Sequence, residues 1–368
     1  MRRRPLLLGL GSLPVLALPV GAMGSAVSST RTLVFPRDFG AHPEARTEWW
    51  YATGWLAPAS GADSATKPSH GFQVTFFRSR TPVAAEHPSR FAASQLIFAH
   101  TALTDLSHGR LRHDQRIARS GFGIASADEI ETAVTLRDWQ LRREGTALQS
   151  RYRVQIASDS AGFQFDFELA TTQPVLLQGT QGYSRKGPQP EQASHYYSQP
   201  QLAVSGMLTV GGQAQSVRGR AWLDHEWSDA LLDPQAVGWD WIGMNLDDGS
   251  ALTAFRLRRA DGGVVYAGGS FRSAGGAARN FASDEVAFAP GRVWASPASR
   301  ANYPVQWTVQ TPAGRYSVKA MLDDQELDSR GSTGSIYWEG LSELFDAEGR
   351  RVGHGYLEMT GYASRLRL

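Results

Sequence analysis

The chain has 368 residues, enough for two domains of ordinary size or one large all-β domain, each with a real core. Its formal charge of +2 falls to about −1 once residues 1–26 are set aside with Arg2, Arg3 and Arg4, because 34 Lys and Arg then face 35 acids. Basic groups scattered in this way exclude a nucleic-acid partner, and the lack of cysteine excludes both a disulfide framework and a thiol nucleophile.

Residues 1–26 combine an Arg-rich start, an apolar run over 5–20 broken by glycines and prolines, and the small residues Gly24-Ser25-Ala26. This is the form of a secretory signal peptide rather than of a membrane span. Arg3-Arg4-Pro5-Leu6-Leu7-Leu8 has the paired arginines of a twin-arginine signal, so export to the periplasm or the medium is expected, by that route or the general one. Such a protein has no disulfides and is stabilised by its core alone.

Strand signals begin at Glu48-Trp49-Trp50-Tyr51, where alternation puts Trp49, Tyr51 and Trp55 on one face and Glu48 and Trp50 on the other. A loop over 58–68 follows, then strands near 71–78, 95–104, 133–141, 148–157 and 163–170, separated by turn residues. The stretch 174–200 reads as tyrosine-rich loop. Strands resume at 202–210, 217–227, 251–258, 264–271, 305–311, 316–321 and 355–362. Short strands at this rhythm argue for an antiparallel barrel or sandwich, since parallel strands need intervening helices. Helix is expected only in short pieces, for instance over 88–93. A division into two β-barrel halves is expected near residue 229, giving domains 27–229 and 230–368. Thr53-Gly54-Trp55 and Thr360-Gly361-Tyr362, each with an acid upstream at Glu48 and Glu358, form a weak internal echo.

Chemistry concentrates between residues 222 and 241, which hold four of the eleven tryptophans with Asp224, His225, Glu226 and Asp240. Alternation places Trp222, Asp224 and Glu226 on one face and Leu223, His225 and Trp227 on the other. In the next strand Trp239 and Trp241 oppose Asp240 and Ile242. A carboxyl buried beside an indole has its pKa raised and becomes a usable general acid near neutrality, and histidine can serve as acid or base. The competing reading is that the tryptophans are core and the charges exposed. His42, Glu44 and Glu48, or Asp224, His225 and Glu226, have ligand-type side chains but no metal-site spacing, so no metal and no cofactor are expected. No Gly-x-Ser-x-Gly elbow or phosphate-binding loop occurs. Tyr183, Tyr196 and Tyr197 either line a cavity mouth or fasten one barrel to the other.

Several ordered motifs carry a resemblance. They are His42-Pro43-Glu44-x-Arg46-Thr47-Glu48-Trp49-Trp50-Tyr51-x-Thr53-Gly54, Tyr183-Ser184-x-Lys186-Gly187, Ser194-x-Tyr196-Tyr197-Ser198, Gly219-x-Ala221-Trp222-Leu223-Asp224-His225-Glu226-Trp227 and Gly238-Trp239-Asp240-Trp241. Together they resemble the exported proteins grouped with carotenoid 1,2-hydratases, also called the hydroxyneurosporene synthase or AttH-like family, from about residue 31 to the C-terminus. The resemblance implies an all-β protein of two lipocalin-like antiparallel barrels packed together, with an apolar cavity and no required cofactor. It implies a hydro-lyase that adds water across a trisubstituted double bond of an apolar ligand such as a carotenoid or terpenoid. That reaction needs an acid, an electron-rich pocket for the cation, and a held water. Asp224, His225, Glu226 and Asp240 are then the expected catalytic groups. Trp227, Trp239, Trp241, Glu48, Trp49, Trp50, Tyr51, Tyr183, Tyr196 and Tyr197 are the expected ligand contacts. An envelope carrier of lipids or small molecules without turnover, working at a membrane surface or with an envelope transport partner, is the alternative, and a secreted hydrolase a further one.

Overall fold

The computed structural model describes residues 27–60, 67–83, 87–230 and 232–366, so the expected signal peptide lies outside the described residues. Their regular secondary structure is almost all antiparallel strand. The first sheet runs in the order Arg110–Arg119, Gln95–Asp105, His70–Arg80, Thr47–Pro58, Gln213–Ser228, Ala193–Val210, Phe163–Ala170, Ser150–Ser158, Trp139–Gly145, Ala133–Leu136, Ala125–Ala127. Its two edge strands are neighbours in sequence, joined by the turn 120–124, so the sheet has to curl until its edges meet. Side chains seal the seam. Arg116 lies 4.1 Å over the Trp139 ring and donates to the Ala157 carbonyl at 3.0 Å, and Ser158 donates to Asp114 at 2.8 Å.

The second sheet obeys the same logic. From Ala278–Phe281 it passes through Val264–Arg272, Ala251–Arg259, Ala236–Leu246, Arg351–Met359, Ser335–Phe345, Gly314–Ala320 and Gln306–Thr311 to Ala287–Pro290, and again the edge strands are consecutive in the chain. The chain crosses from one sheet to the other between Ser228 and Ala236. The result is all-β, two lipocalin-like barrel domains packed together.

Both barrels are filled. Trp50, Phe72, Phe76, Trp139, Phe163, Phe165 and Phe167 are among the side chains that close the first, and Ile242, Tyr303, Trp307, Trp338 and Leu357 among those that close the second. A third apolar cluster, with Tyr51, Trp55, Trp222, Trp241, Phe255, Leu341 and Tyr356, joins the domains. Its close packing depends on Gly71, where a Cβ would stand 2.6 Å from the Tyr356 hydroxyl and 2.9 Å from Leu341 Cβ.

Three expectations change. Residues 88–93 are turn and bend, and helix among the described residues is the single 3-10 turn Arg37–Phe39. The stretch 133–141 is two strands, broken at Arg137, whose φ of 57° turns the chain. Most importantly, the tyrosine-rich stretch from Ala193 is strand. It opens Ala193–Val210, with a bulge between Gln199 and Leu202 where Gln201 takes a φ of 59°. Serine, histidine and tyrosine there mimic loop composition because this part of the strand carries polar groups on both buried faces.

Candidate active site

Register decides what meets what. Gln213–Ser228 lies between Thr47–Pro58 and Ala193–Val210, and its residues pair as Tyr51, Asp224 and Ser198 in one row and Trp49, Glu226 and Tyr196 in the next. The interleaved rows, Trp50, His225 and Tyr197 and then Glu48, Trp227 and His195, point the opposite way because side chains alternate across a pleated strand. Both faces are buried, and they have different electrostatics.

The first face looks into a cavity of about 290 Å³ between the two domains. The second domain supplies the opposite wall through a row in which Phe255, Trp241, Glu358 and Glu339 are successive cross-strand partners. Trp49, Tyr51, Trp239, Trp241, Phe77 and Phe98 provide aromatic surface, and the mouth opens near the exposed Arg46 and the half-buried Phe98 and Thr333. A cavity at a domain junction, mostly apolar with a few convergent polar groups, is the usual form of a small-molecule site. Both barrel interiors are occupied by core, so the cavity lies between the domains rather than inside either.

Asp224 accepts hydrogen bonds from Ser198 Oγ at 2.6 Å, Trp222 Nε1 at 2.7 Å and the Tyr196 hydroxyl at 2.8 Å. Burial nonetheless pushes its carboxyl up to about 7, opposing those three bonds and helped by the charge of Glu226. Glu226 accepts from Ser194 Oγ and stands 3.0 Å from Lys186 Nζ. Glu358 is enclosed by the two domains yet reachable from the cavity. Burial raises it to about 7, the Trp239 side chain works against this, and the charges of Asp224 and Glu226 reinforce it. Glu339 is raised well above the ordinary carboxylate range by burial and by Glu358, with the nearby Tyr51 hydroxyl acting the other way. Its Oε2 accepts from Gln73 Nε2 at 2.8 Å across the domain boundary.

The second face closes on the end of the first barrel. Glu48 is fully buried and accepts from His42 Nδ1 at 2.8 Å, His225 Nε2 at 2.9 Å, Arg78 Nε at 2.7 Å and the His42 backbone N at 2.9 Å. His42 also reaches Asp38 at 3.0 Å through Nε2, so both ring nitrogens face carboxylates and the ring is cationic. Burial would lower its pKa, but the bonds to Asp38 and Glu48 raise it. Burial lowers His225 to about 4, so its Nδ1 accepts from the Tyr197 hydroxyl at 3.0 Å. Burial pulls Glu48 upward, and the His225 and His42 hydrogen bonds with the charges of His42 and Arg78 bring it well below the usual range. Trp227 stacks on His42 at 3.6 Å and Trp50 on His225 at 4.6 Å.

His42, Glu48 and His225 bring ligand-type atoms within 4.8 Å of one another, the one such group among the described residues. Every one of those atoms is engaged in a hydrogen bond, and Arg78 adds positive charge. The arrangement suits a closed charge network better than a cation.

Seven of the expected residues therefore share the cavity: Asp224, Glu226, Trp49, Tyr51, Tyr196, Trp239 and Trp241. Seven lie elsewhere. His225, Trp227, Glu48, Trp50 and Tyr197 belong to the barrel-end network, where they do not hold the barrels together. Tyr183 is a half-buried residue of the short strand Tyr183–Arg185, and its hydroxyl donates to the Pro190 carbonyl. Asp240 is turned into the second barrel, bound by Arg256 Nε at 2.7 Å, Arg258 Nε at 3.1 Å and the Tyr362 hydroxyl at 2.8 Å. Glu339, Glu358 and Lys186 are cavity residues absent from the expected set. Glu358 had a signal in the echo with Glu48, and Lys186 stood inside a family motif; Glu339 lay in a strand that alternation had not picked out.

Fold and cavity together define a two-domain lipocalin-like barrel protein with an interdomain cavity. A sequence profile of AttH-like proteins matches residues 26–362, and the chain belongs to that family. A Nitrosomonas europaea protein provisionally called AttH, known from a crystal structure, is 47% identical with a TM-score of 0.83, over 91% of this chain and 99% of that one. Kievitone hydratase from Nectria haematococca is 15% identical with a TM-score of 0.67, over 91% of this chain and 94% of that one. CghA in complex with Sch210972 is 12% identical with a TM-score of 0.52, over 86% and 88%. At such identities the last two share the fold. No curated protein matches the sequence.

Proposed function

We propose that this is an exported enzyme that adds water across a carbon–carbon double bond of an apolar ligand by acid catalysis in the interdomain cavity. The observation that carries the reading is an aromatic-lined cavity in which two carboxyls, Asp224 and Glu358, are each pushed up to about 7. Groups with pKa values near the working pH are suited to exchange protons with a substrate and with water. A carboxylic acid protonates the less substituted alkene carbon, and the π pair forms the new C–H bond. The tertiary cation sits against Trp49, Trp239 and Trp241. A water adds its lone pair to that cation and releases a proton to a carboxylate, which restores one proton to the pair.

A relative with this fold is named a hydratase, which supports the reaction class. The cavity volume fits a small terpenoid, or one end of a longer polyene entering past Arg46. The test is incubation of the mature protein with acyclic terpenes and an acyclic carotenoid in ¹⁸O water. The expected product carries one ¹⁸O at the tertiary carbon. Unlabelled or unchanged alkenes across the panel would sink the hydratase reading, and an unchanged lipid retained through purification would favour the carrier.

A further inference from the structure

The cavity is built for charge of one sign. Asp224, Glu226, Glu339 and Glu358 line it, while its basic residues are Lys186 and Arg46, the latter at the exposed mouth. His100, also on the wall, is held neutral: its Nδ1 faces the Tyr337 hydroxyl at 2.9 Å and its Nε2 the Ser332 hydroxyl at 2.8 Å. The protein already places one ammonium group against this wall. Lys186 Nζ, on a residue only 6% exposed, lies 4.6 Å from the Tyr196 ring and 4.4 Å from the Phe255 ring, beside Glu226 at 3.0 Å.

The same components recur on the wall from the second domain. Glu339 and Glu358 are direct cross-strand partners, an arrangement in which like charges repel. Neither forms a salt bridge among the described residues, and Glu339 Oε1, on a side chain 98% buried, accepts no hydrogen bond. Trp239, Trp241 and Tyr51 surround them with ring surface. A positive charge held there would be attracted by both carboxylates and by the ring faces, and would relieve the repulsion between the acids.

We infer that the cavity is a cation box: it takes a monovalent organic ammonium ion on a small apolar body in preference to a neutral molecule of the same shape. The inference rests on the reading of this cavity as the ligand site and is independent of turnover. It also explains why a cavity of this kind suits a reaction through a carbocation, for which a stable ammonium is a mimic.

Isothermal titration calorimetry of the mature protein at pH 8 and low salt tests it, with meta-hydroxyphenyl-trimethylammonium and its uncharged isostere meta-tert-butylphenol as probes. The ammonium is expected to bind about tenfold more tightly or better, the scale of a desolvated cation–π contact. In the double variant Glu339→Gln/Glu358→Gln that preference disappears while affinity for the phenol is kept, with a melting curve confirming the fold. Should the double variant not fold, Glu358→Gln alone, whose carboxyl is reachable from the cavity, is expected to reduce the preference. Equal or tighter binding of the phenol overturns the cation box and leaves the ligand site standing. Binding of neither probe overturns both.

Discussion

The two faces of Gln213–Ser228 form a natural comparison, since each buries ionisable groups beside indoles within a few ångströms of strand. On the barrel-end face the charges are balanced. Asp38, Glu44 and Glu48 are matched by Arg31, His42 and Arg78, and although burial would raise Asp38, its His42 and Val34 bonds and Arg31 bring it down to about 2. On the cavity face carboxyls outnumber cations, and Asp224, Glu339 and Glu358 are driven toward neutrality by burial. Burial alone does not make a group reactive; the surrounding charge decides whether it becomes a fixed ion or a proton carrier.

The largest expected effect separates the faces by rate. Asp224→Asn should reduce turnover by about 10²–10⁴-fold, the usual contribution of a positioned acid or base, with little change in melting temperature. His225→Ala should instead lower the melting temperature and leave turnover per folded molecule intact. Steady-state kinetics alongside calorimetric scans checks both, and a turnover loss confined to His225→Ala would reverse the assignment of the two faces.

Stability divides them the other way. Arg78→Met leaves Glu48 buried without its arginine partner and should cost about 3–5 kcal/mol in urea unfolding. Glu339→Gln replaces a carboxyl that burial and Glu358 already hold toward neutrality, and should change stability by less than about 1 kcal/mol or raise it. Comparable losses in the two variants would erase the distinction.

The pH dependence has opposite signs. Asp224 and Glu358 keep their protons to about 7 in the folded state, against ordinary values of 3.8 and 4.5. Between those limits the folded state binds more protons, so this contribution to stability falls as pH rises from about 4 to about 7 and stays lost above. Asp38 and Glu48 are depressed, so theirs is present above pH 4.5 and is lost as pH falls through their folded values. His225, neutral down to about 4, also loses stability on acidification from 6.5, whereas the support from the raised His42 fades as pH climbs past 6.5. Removing the cavity pair isolates its share: the stability of Asp224→Asn/Glu358→Gln relative to wild type should rise by about 6 kcal/mol from pH 4 to 7. A gap independent of pH would show that these carboxyls titrate normally.

A last effect tests the junction that frames the cavity. Gly71→Ala forces a methyl against Tyr356 and Leu341 and should cost about 1–3 kcal/mol, seen as a lower melting temperature. An unchanged melt would mean that the domains can part there without loss.

Alternation read from the chain sorted Trp222, Asp224 and Glu226 from His225 and Trp227, and Trp239 and Trp241 from Asp240, because the pleat has a period of two whatever the fold. The all-β class and the family were equally legible, the first from short strands without helical periodicity and the second from five ordered motifs. What local sequence could not say was which face would line a cavity, since both faces of these strands are buried and equally rich in indole and charge. Docking of the second sheet decided it. That contact set Trp241, Glu358 and Glu339 opposite Tyr51 and Asp224, with Glu358 and Glu339 more than a hundred positions from both, and it placed the cavity in the space between two barrels. Composition and pattern follow from each residue's own neighbours in the chain; the charge balance around a buried carboxyl depends on every element packed against it, and only the assembled structure contains that sum.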